Sequence, residues 1–221
     1  MKFHKLIPAI VGCIAMTAQA QNLLSNPSFE TPGPGFVLFQ DWENFGNVFD
    51  DVSVEFTAQD GTTSAKMFGQ FSSSQNDQVL LQTVTSVVVG MQYTLSAYAA
   101  HLTGDEVQTG NIVLLQLNFQ DSAGNNLEQV QTDAIVPGQT PPDQWNQVEV
   151  SGIAPAGTTQ ILVALLHLQI DGVAGGASFW DNISLVEGDA PCTNPADFNH
   201  DGIIDFFDVQ AFLNAFAKGC P

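Results

Sequence analysis

The sequence predicts a mainly β protein, a two-sheet sandwich followed by a small helical module at the C-terminus. Three observations carry this. Short apolar–polar alternations recur from Val52 to Val186 with no helical period among them. Turn residues separate them: Asp60-Gly61, Val89-Gly90, Ala123-Gly124-Asn125-Asn126, Pro137-Gly138 and Pro155-Ala156-Gly157. After Pro195 the pattern changes to an acidic loop and then an apolar stripe at helical spacing.

The first twenty residues read as a signal peptide. Lys2 and Lys5 give a positive start, Leu6 to Met16 an apolar middle, and Ala18-Gln19-Ala20 a small-x-small cleavage site, leaving Gln21 as the mature N-terminus. Ile10-Val11-Gly12-Cys13 offers a second reading, a lipoprotein box with Cys13 acylated. Either route exports the chain, to the cell surface or beyond. No later apolar run is long enough to cross a bilayer. The rest divides into a sandwich over 21–188, a linker over 189–195 and a module over 196–221.

Charge and cysteines narrow the partners. Without the signal, Lys66 and Lys218 face 23 acidic residues, and there is no arginine. Such a surface repels nucleic acid and anionic membranes; it suits calcium and neutral polymers, or simple solubility in saline surroundings. Cys192 and Cys220 bracket the acidic loop and its helix, and in an oxidising compartment they should pair. Closing that loop stabilises a small module by about 3.6 kcal/mol in the chain-entropy picture.

The expected strands are Val52–Phe56, Ala65–Phe71, Val79–Val84, Tyr93–Leu102, Ile112–Asp121, Trp145–Ile153, Thr159–Ile170 and Ser178–Val186. So many short antiparallel strands in one domain argue for a jelly-roll sandwich. Alternation also marks a polar groove. Val113, Leu115, Leu117 and Phe119 should face the core, so Gln116, Asn118 and Gln120 face away. His167 and Gln169 share a face, as do Ser96 and Tyr98. These polar faces are expected to line one concave groove, with Tyr98 as stacking platform and Trp145 at its rim, or else to form a plain solvated sheet. Phe36, Phe39, Trp42 and Phe45 offer a second surface, or fold over the sandwich edge.

Three segments of this domain resemble the carbohydrate-binding modules of families 4, 9 and 22. They are Asn22-Leu23-Leu24-Ser25-Asn26-Pro27-Ser28-Phe29-Glu30, Gly90-Met91-Gln92-Tyr93-Thr94-Leu95-Ser96-Ala97-Tyr98, and the closing half with Trp145, Ala154-Pro155-Ala156-Gly157 and Phe179-Trp180-Asp181-Asn182-Ile183-Ser184-Leu185. The resemblance implies a galactose-binding-like jelly roll and a polysaccharide or glycan ligand. It also implies a structural calcium tying first strand to last, with Glu30 and Asp181 as ligands. The family often has a second acid where this chain has Asn182.

The acidic loop has its own logic. From Asp197 to Asp208, oxygen-bearing side chains stand at loop positions 1, 3, 5, 9 and 12, with glycine at 6, the spacing of a calcium-binding EF-hand. Asp197, Asn199 and Asp201 would each give an oxygen, Ile203 its carbonyl, Asp205 a direct or water-borne ligand, and Asp208 the closing carboxylate. Asp208 stands where glutamate is usual, a shorter arm. Phe206, Val209, Leu213, Phe216 and Ala217 then form one helical stripe, with Phe212 at its edge and Phe207 off it. Loop and helix resemble one repeat of a dockerin, the small module that plugs secreted bacterial proteins into cohesin receptors. The chain has one such repeat where dockerins normally carry two. By this resemblance Phe206 and Phe207 occupy receptor-contacting positions, although Phe206 also belongs to the stripe expected to pack within the module.

Catalytic patterns are lacking. His101, His167 and His200 are widely spaced, no free thiol remains beyond the pair, and there is no Gly-x-Ser-x-Gly elbow or phosphate loop. The expectation is a secreted, non-enzymatic glycan binder with a calcium-dependent docking tail. The alternatives are an adhesive protein whose sandwich binds protein, and a small glycoside-active enzyme.

Overall fold

A computed structural model of the chain describes residues 21–188, 196, 198 and 204–218. The signal segment, Cys192 and Cys220, and the loop positions Asp197, Asn199, Asp201 and Ile203 lie outside the described residues. Among the described residues ten strands precede one helix: β1 (Glu43–Phe45), β2 (Val48–Asp51), β3 (Ser64–Phe68), β4 (Asn76–Val84), β5 (Gln92–Ala100), β6 (Asn111–Gln120), β7 (Asn126–Ile135), β8 (Asn146–Ile153), β9 (Gln160–Gln169), β10 (Ala177–Glu187) and α1 (Phe206–Lys218). The strands form two five-stranded antiparallel sheets. The front sheet runs β1-β4-β9-β6-β7 and the back sheet β2-β3-β10-β5-β8.

The core sits between them because one side of each strand is apolar. Leu80 and Val84 of β4, Val113, Leu115, Leu117 and Phe119 of β6, and Ile161, Val163 and Leu165 of β9 meet Tyr93, Leu95 and Ala97 of β5 and Trp180, Ile183 and Leu185 of β10. In β10 the parity changes. Ser178 and Trp180 are buried on even positions, Ile183 and Leu185 on odd ones, and a register shift between Asp181 and Ser184 makes the switch. Asn182 takes a φ of 49° there, the extra residue of a bulge.

Five elements depart from the strands expected. Residues 52–56 are not a strand, because the carboxylate of Asp51 accepts the backbone N–H groups of Val54, Glu55 and Phe56 at 2.9, 3.1 and 3.0 Å and curls the chain around itself. Three donors to one buried acceptor outweigh a weak alternation. β3 stops at Phe68, since Phe71 takes a φ of 54° and donates its N–H to Gln169 at 3.0 Å. β1 and β2 are too short to show a period. β7 is an edge strand with little apolar content, so hydrophobicity did not mark it.

α1 begins as expected and carries Asp208 in its first turn, where a negative charge suits the helix dipole. No helix among the described residues is long and apolar enough to cross a membrane.

Candidate functional site

The outer face of the front sheet is divided into an amide half and an aliphatic half. Cross-strand registers place its side chains in rows. One row runs Glu43, Leu81, Ala164, Gln116, Gln131 from β1 to β7; the next runs Thr83, Leu162, Asn118, Gln129; a third pairs Gln160, Gln120 and Asn126. Phe45, Val79, Leu166 and Leu114 form a row on the other side of the first. Near β6 and β7 the face is therefore almost entirely amide. Near β4 and β9 it is aliphatic.

The amides are wired together. Gln116 Nε2 donates to Gln131 Oε1 at 2.9 Å, and Asn118 Nδ2 donates to Gln116 Oε1 and to the Leu162 carbonyl, each at 3.1 Å. Gln160 Nε2 donates to Gln120 Oε1 at 2.9 Å, Gln120 Nε2 to Asn126 Oδ1 at 2.9 Å, and Gln129 Nε2 to Gln131 Oε1 at 3.1 Å. An amide has two donors and two acceptor lone pairs, so each member keeps hydrogen-bonding capacity while its orientation is held by a neighbour. Asn118 and Gln120 are only 2% and 7% exposed, so they hold the array from beneath, while the half-buried Gln116 and Gln160 and the exposed Asn126, Gln129 and Gln131 present donors and acceptors to a polyhydroxylated ligand. Phe45, at the edge of the same face, is 55% exposed and supplies an aromatic surface.

The expected groove is thus only partly assembled. Gln116, Asn118 and Gln120 point outward together, as alternation indicates. His167 and Gln169 do not join them; both are fully buried between the sheets. They do share a face, but it is their alternation partners Leu166 and Leu168 that point outward. His167 Nδ1 lies 3.0 Å from Ser178 Oγ, and burial brings its pKa down to about 4. Gln169 holds the 69–76 loop, accepting from Phe71 N and Asn76 Nδ2 and donating to the Ala174 carbonyl at 2.7 Å. Tyr98 is on β5 in the back sheet, on the opposite side of the sandwich from the amides. Trp145 is half-buried against Phe56, ring centres 5.1 Å apart, and its Nε1 donates to the Thr57 carbonyl at 2.9 Å, so it fastens a loop over the back sheet.

Sequence reading overlooked Asn126, Gln129 and Gln131, although the strict alternation of Gln129, Gln131 and Asp133 with Val130, Thr132 and Ala134 was there to find. Of the four loop aromatics, Phe39 and Trp42 are core, whereas Phe36 and Phe45 are exposed.

Glu30 and Asp181 are brought to one turn. Glu30 accepts Thr62 N at 2.8 Å and Thr63 N at 2.7 Å; Asp181 accepts Gln59 N at 2.7 Å, Asp60 N at 2.9 Å and Asn182 N at 2.7 Å. Slight burial opposes the Glu30 charge, but the Thr62 and Thr63 donors outweigh it and hold the carboxyl below its usual range. For Asp181 burial dominates these donors and pushes the pKa up to about 6. Gly61 completes the turn at a φ of 71°, where a Cβ would meet the Glu30 carboxylate. The pair clamps residues 59–63 through N–H donors. That donor set is hydrogen where a calcium cage needs oxygen, and no cluster of three or more His, Cys, Asp or Glu side chains suited to a metal occurs among the described residues.

In the C-terminal loop, Asp208 is turned inward. Its Oδ1 accepts Phe198 N at 2.7 Å and its Oδ2 accepts Asp205 N at 2.8 Å, while Asp205 Oδ1 accepts Phe207 N at 2.7 Å. Asp208 thereby ties Phe198 to Asp205 at the start of α1. Phe206 and Phe207 are 73% and 61% exposed, so Phe206 does not pack within the module as its stripe position suggested.

Comparison with known proteins agrees with this architecture. Residues 21–170 match the family model CBM_4_9, described as a carbohydrate binding domain. No curated protein matches the chain. Among solved structures, TmCBM61 in complex with β-1,4-galactotriose is 20% identical with a TM-score of 0.50, over 76% of this chain and 100% of that one. The CBM22-1 xylan-binding domain of Paenibacillus barcinonensis Xyn10C is likewise 20% identical with a TM-score of 0.50, over 77% and 97%. The enzymatically active domain of bacteriophage CBA120 tailspike protein 4 shares 18% identity and a TM-score of 0.53, this chain spanning 21% of its length and 76% of its own. At these identities the structural neighbours show the shared fold. The family match covers most of the sequence and includes β1 to β9 with the whole amide face: the chain belongs to the carbohydrate-binding domain family of CBM 4/9 type.

Proposed function

We propose that the chain is a secreted, non-catalytic protein that binds a neutral glycan across the outer face of the front sheet and docks to a surface or extracellular partner through a calcium-dependent tail. The observation that carries the sugar-binding reading is the hydrogen-bonded amide array of β6, β7 and β9 with Phe45 on the same face. Amides match hydroxyls, the aliphatic rows match sugar C–H surface, and the acidic exterior disfavours anionic polymers.

A glycan array on the mature chain tests it, with β-1,4-galactan and xylan as first probes because the two neighbours above are described with them. Phe45→Ala is expected to weaken binding by about 1–3 kcal/mol, the cost of losing an aromatic anchor, and Tyr98→Ala to leave it unchanged. Loss of binding in Tyr98→Ala alone would move the site to the back sheet. Retention of a protein and no glycan would favour the adhesive reading, which would use the aliphatic rows of Leu81, Leu162, Leu166 and Leu168. Turnover of a polysaccharide would favour an enzyme.

For the tail, Asp208 and Asp205 with the loop positions outside the described residues form the calcium set, and Phe207 is the docking contact. Calcium at about 100 times its Kd should stabilise the module by about 2.7 kcal/mol. Combined Asp205→Ala and Asp208→Ala should abolish that gain in calorimetry. Phe207→Ala should keep the calcium response and reduce chelator-sensitive retention on the parent cell's surface fraction. A calcium response that persists in the double variant would remove the EF-hand reading.

A further inference from the structure

The segment between the first core residues and β1 forms an open cleft of about 690 Å³, lined by Pro32, Gly33, Pro34, Val37, Gln40, Asp41, Trp42 and Glu43. Its walls are preorganised. Asn26 Nδ2 donates to the Thr31 and Gln40 carbonyls at 2.8 and 3.1 Å, and Asn26 Oδ1 accepts Thr31 N at 3.0 Å, so one side chain staples both ends of the loop. Trp42 is buried beneath, its Nε1 donating to the Asn26 carbonyl at 3.0 Å. At the loop tip Val37 N donates to the Pro34 carbonyl, closing a turn that leaves Phe36 wholly exposed. Gly33 has to be glycine, because a Cβ there would come within 2.5 Å of the Val37 carbonyl oxygen.

The cleft opens onto the outer face of the front sheet at its β1 edge, across the aliphatic strip from the amides. Glu43 lines it and is also the β1 member of the row Glu43, Leu81, Ala164, Gln116, Gln131. Ala164, buried and small, keeps the middle of that row low. Four inter-strand steps give the row a span of roughly 19 Å from β1 to β7. A carboxylate stands at one end of it and a hydrogen-bonded amide pair at the other.

We infer that this cleft is an end subsite for the glycan, taking the last sugar unit of a chain that lies across the strands. The inference rests on the carbohydrate-binding reading above. Pro32, Pro34 and Val37 face the C–H surface of the sugar ring. Asp41 and Glu43, both exposed, accept hydrogen bonds from its hydroxyls, and Gln40 offers an amide beside them. Acceptors that carry charge hold hydroxyl donors more strongly than neutral ones. The same arrangement disfavours uronic acids at this end, because two carboxylates would face a third.

Isothermal titration of the full mature chain with galacto- and xylo-oligosaccharides of two to six units tests the inference. In the wild-type chain affinity should climb with length until the row and the cleft are both filled. In the double variant Asp41→Asn, Glu43→Gln that gain should disappear, leaving the longest oligosaccharides roughly five- to tenfold weaker than in wild type. Both positions are exposed and both changes conserve shape, so the fold is kept. Gln116→Ala should weaken every length. If Gln116→Ala weakens binding while the double variant follows wild type at all lengths, the end subsite is refuted and the amide face stands. If the wild-type chain binds neither these oligosaccharides nor any glycan of the array, both readings fall together.

Discussion

Replacing Trp42 by alanine is expected to cost the sandwich about 3–5 kcal/mol, the range for truncating a large buried aromatic. The indole is 1% exposed, with the Phe29 ring 5.3 Å from its own, and Phe29 in turn packs on Phe39 at 4.7 Å. Phe29 holds a φ of 58°, a strained conformation for an aromatic residue that the surrounding packing sustains. Truncation would open a cavity beneath that strained residue and leave the Asn26 carbonyl with the Phe29 N–H but without the indole N–H. Denaturant unfolding gives the cost directly, and the melting temperature should fall by roughly 6–20 °C for a domain of this size. Phe36→Ala, one loop away and fully exposed, should change stability by less than about 0.5 kcal/mol. A Trp42→Ala loss below about 1 kcal/mol would mean the ring is not core.

Acidification should destabilise the sandwich through His167. The imidazole is buried with Gln78 and Gln169 on the inner face of the front sheet, and Ser178 reaches it from the back sheet. Ser178 Oγ accepts the Trp180 indole N–H at 3.2 Å and lies 3.0 Å from His167 Nδ1, while the buried Nε2 has no partner among the described residues, so a second ring proton would add a buried charge with an unmet donor. Burial lowers the folded-state pKa from 6.5 to about 4. The unfolded chain therefore binds this proton first. The neutral ring's contribution is complete above pH 6.5 and is lost as pH falls toward 4, about 3 kcal/mol in all. Asp181 works in the opposite sense: its raised pKa gives stability that is present below about pH 4 and lost as pH rises through about 6. The two windows overlap, so the diagnostic quantity is the difference from His167→Asn, which keeps an acceptor for Ser178 and cannot ionise. Between pH 7 and 4 the wild-type chain should lose about 3 kcal/mol relative to that variant. Parallel pH profiles would show that His167 is not held neutral.

The dependence of these effects on named contacts marks the limit of sequence reading. Alternation alone determined that Leu115, Leu117 and Phe119 are core and that Gln116, Asn118 and Gln120 point away, because side-chain direction along a strand is a local property with period two. The same rule grouped His167 with Gln169 correctly and could not say which side of the sheet they take. Side is decided by the neighbours. Val163 and Leu165 already commit β9's odd positions to the interior, and the two polar residues follow them inward and find partners in Ser178, Asn76 and Ala174.

Which strands become neighbours was equally out of reach. Tyr98 and Gln116 are both outward-facing residues of central strands, but β5 and β6 are consecutive in the chain and belong to different sheets, so they lie on opposite surfaces. The residues of the cleft, by contrast, are close in sequence, and only the Asn26 staple and the β1–β4 pairing turn them toward the outer face of the front sheet. The sequence by itself determined the class of fold, its family resemblance, and which side chains of a regular strand share a face. Tertiary structure decided which of those faces share a surface, because pairing between distant strands depends on the summed packing of the whole sandwich and leaves no local period to read.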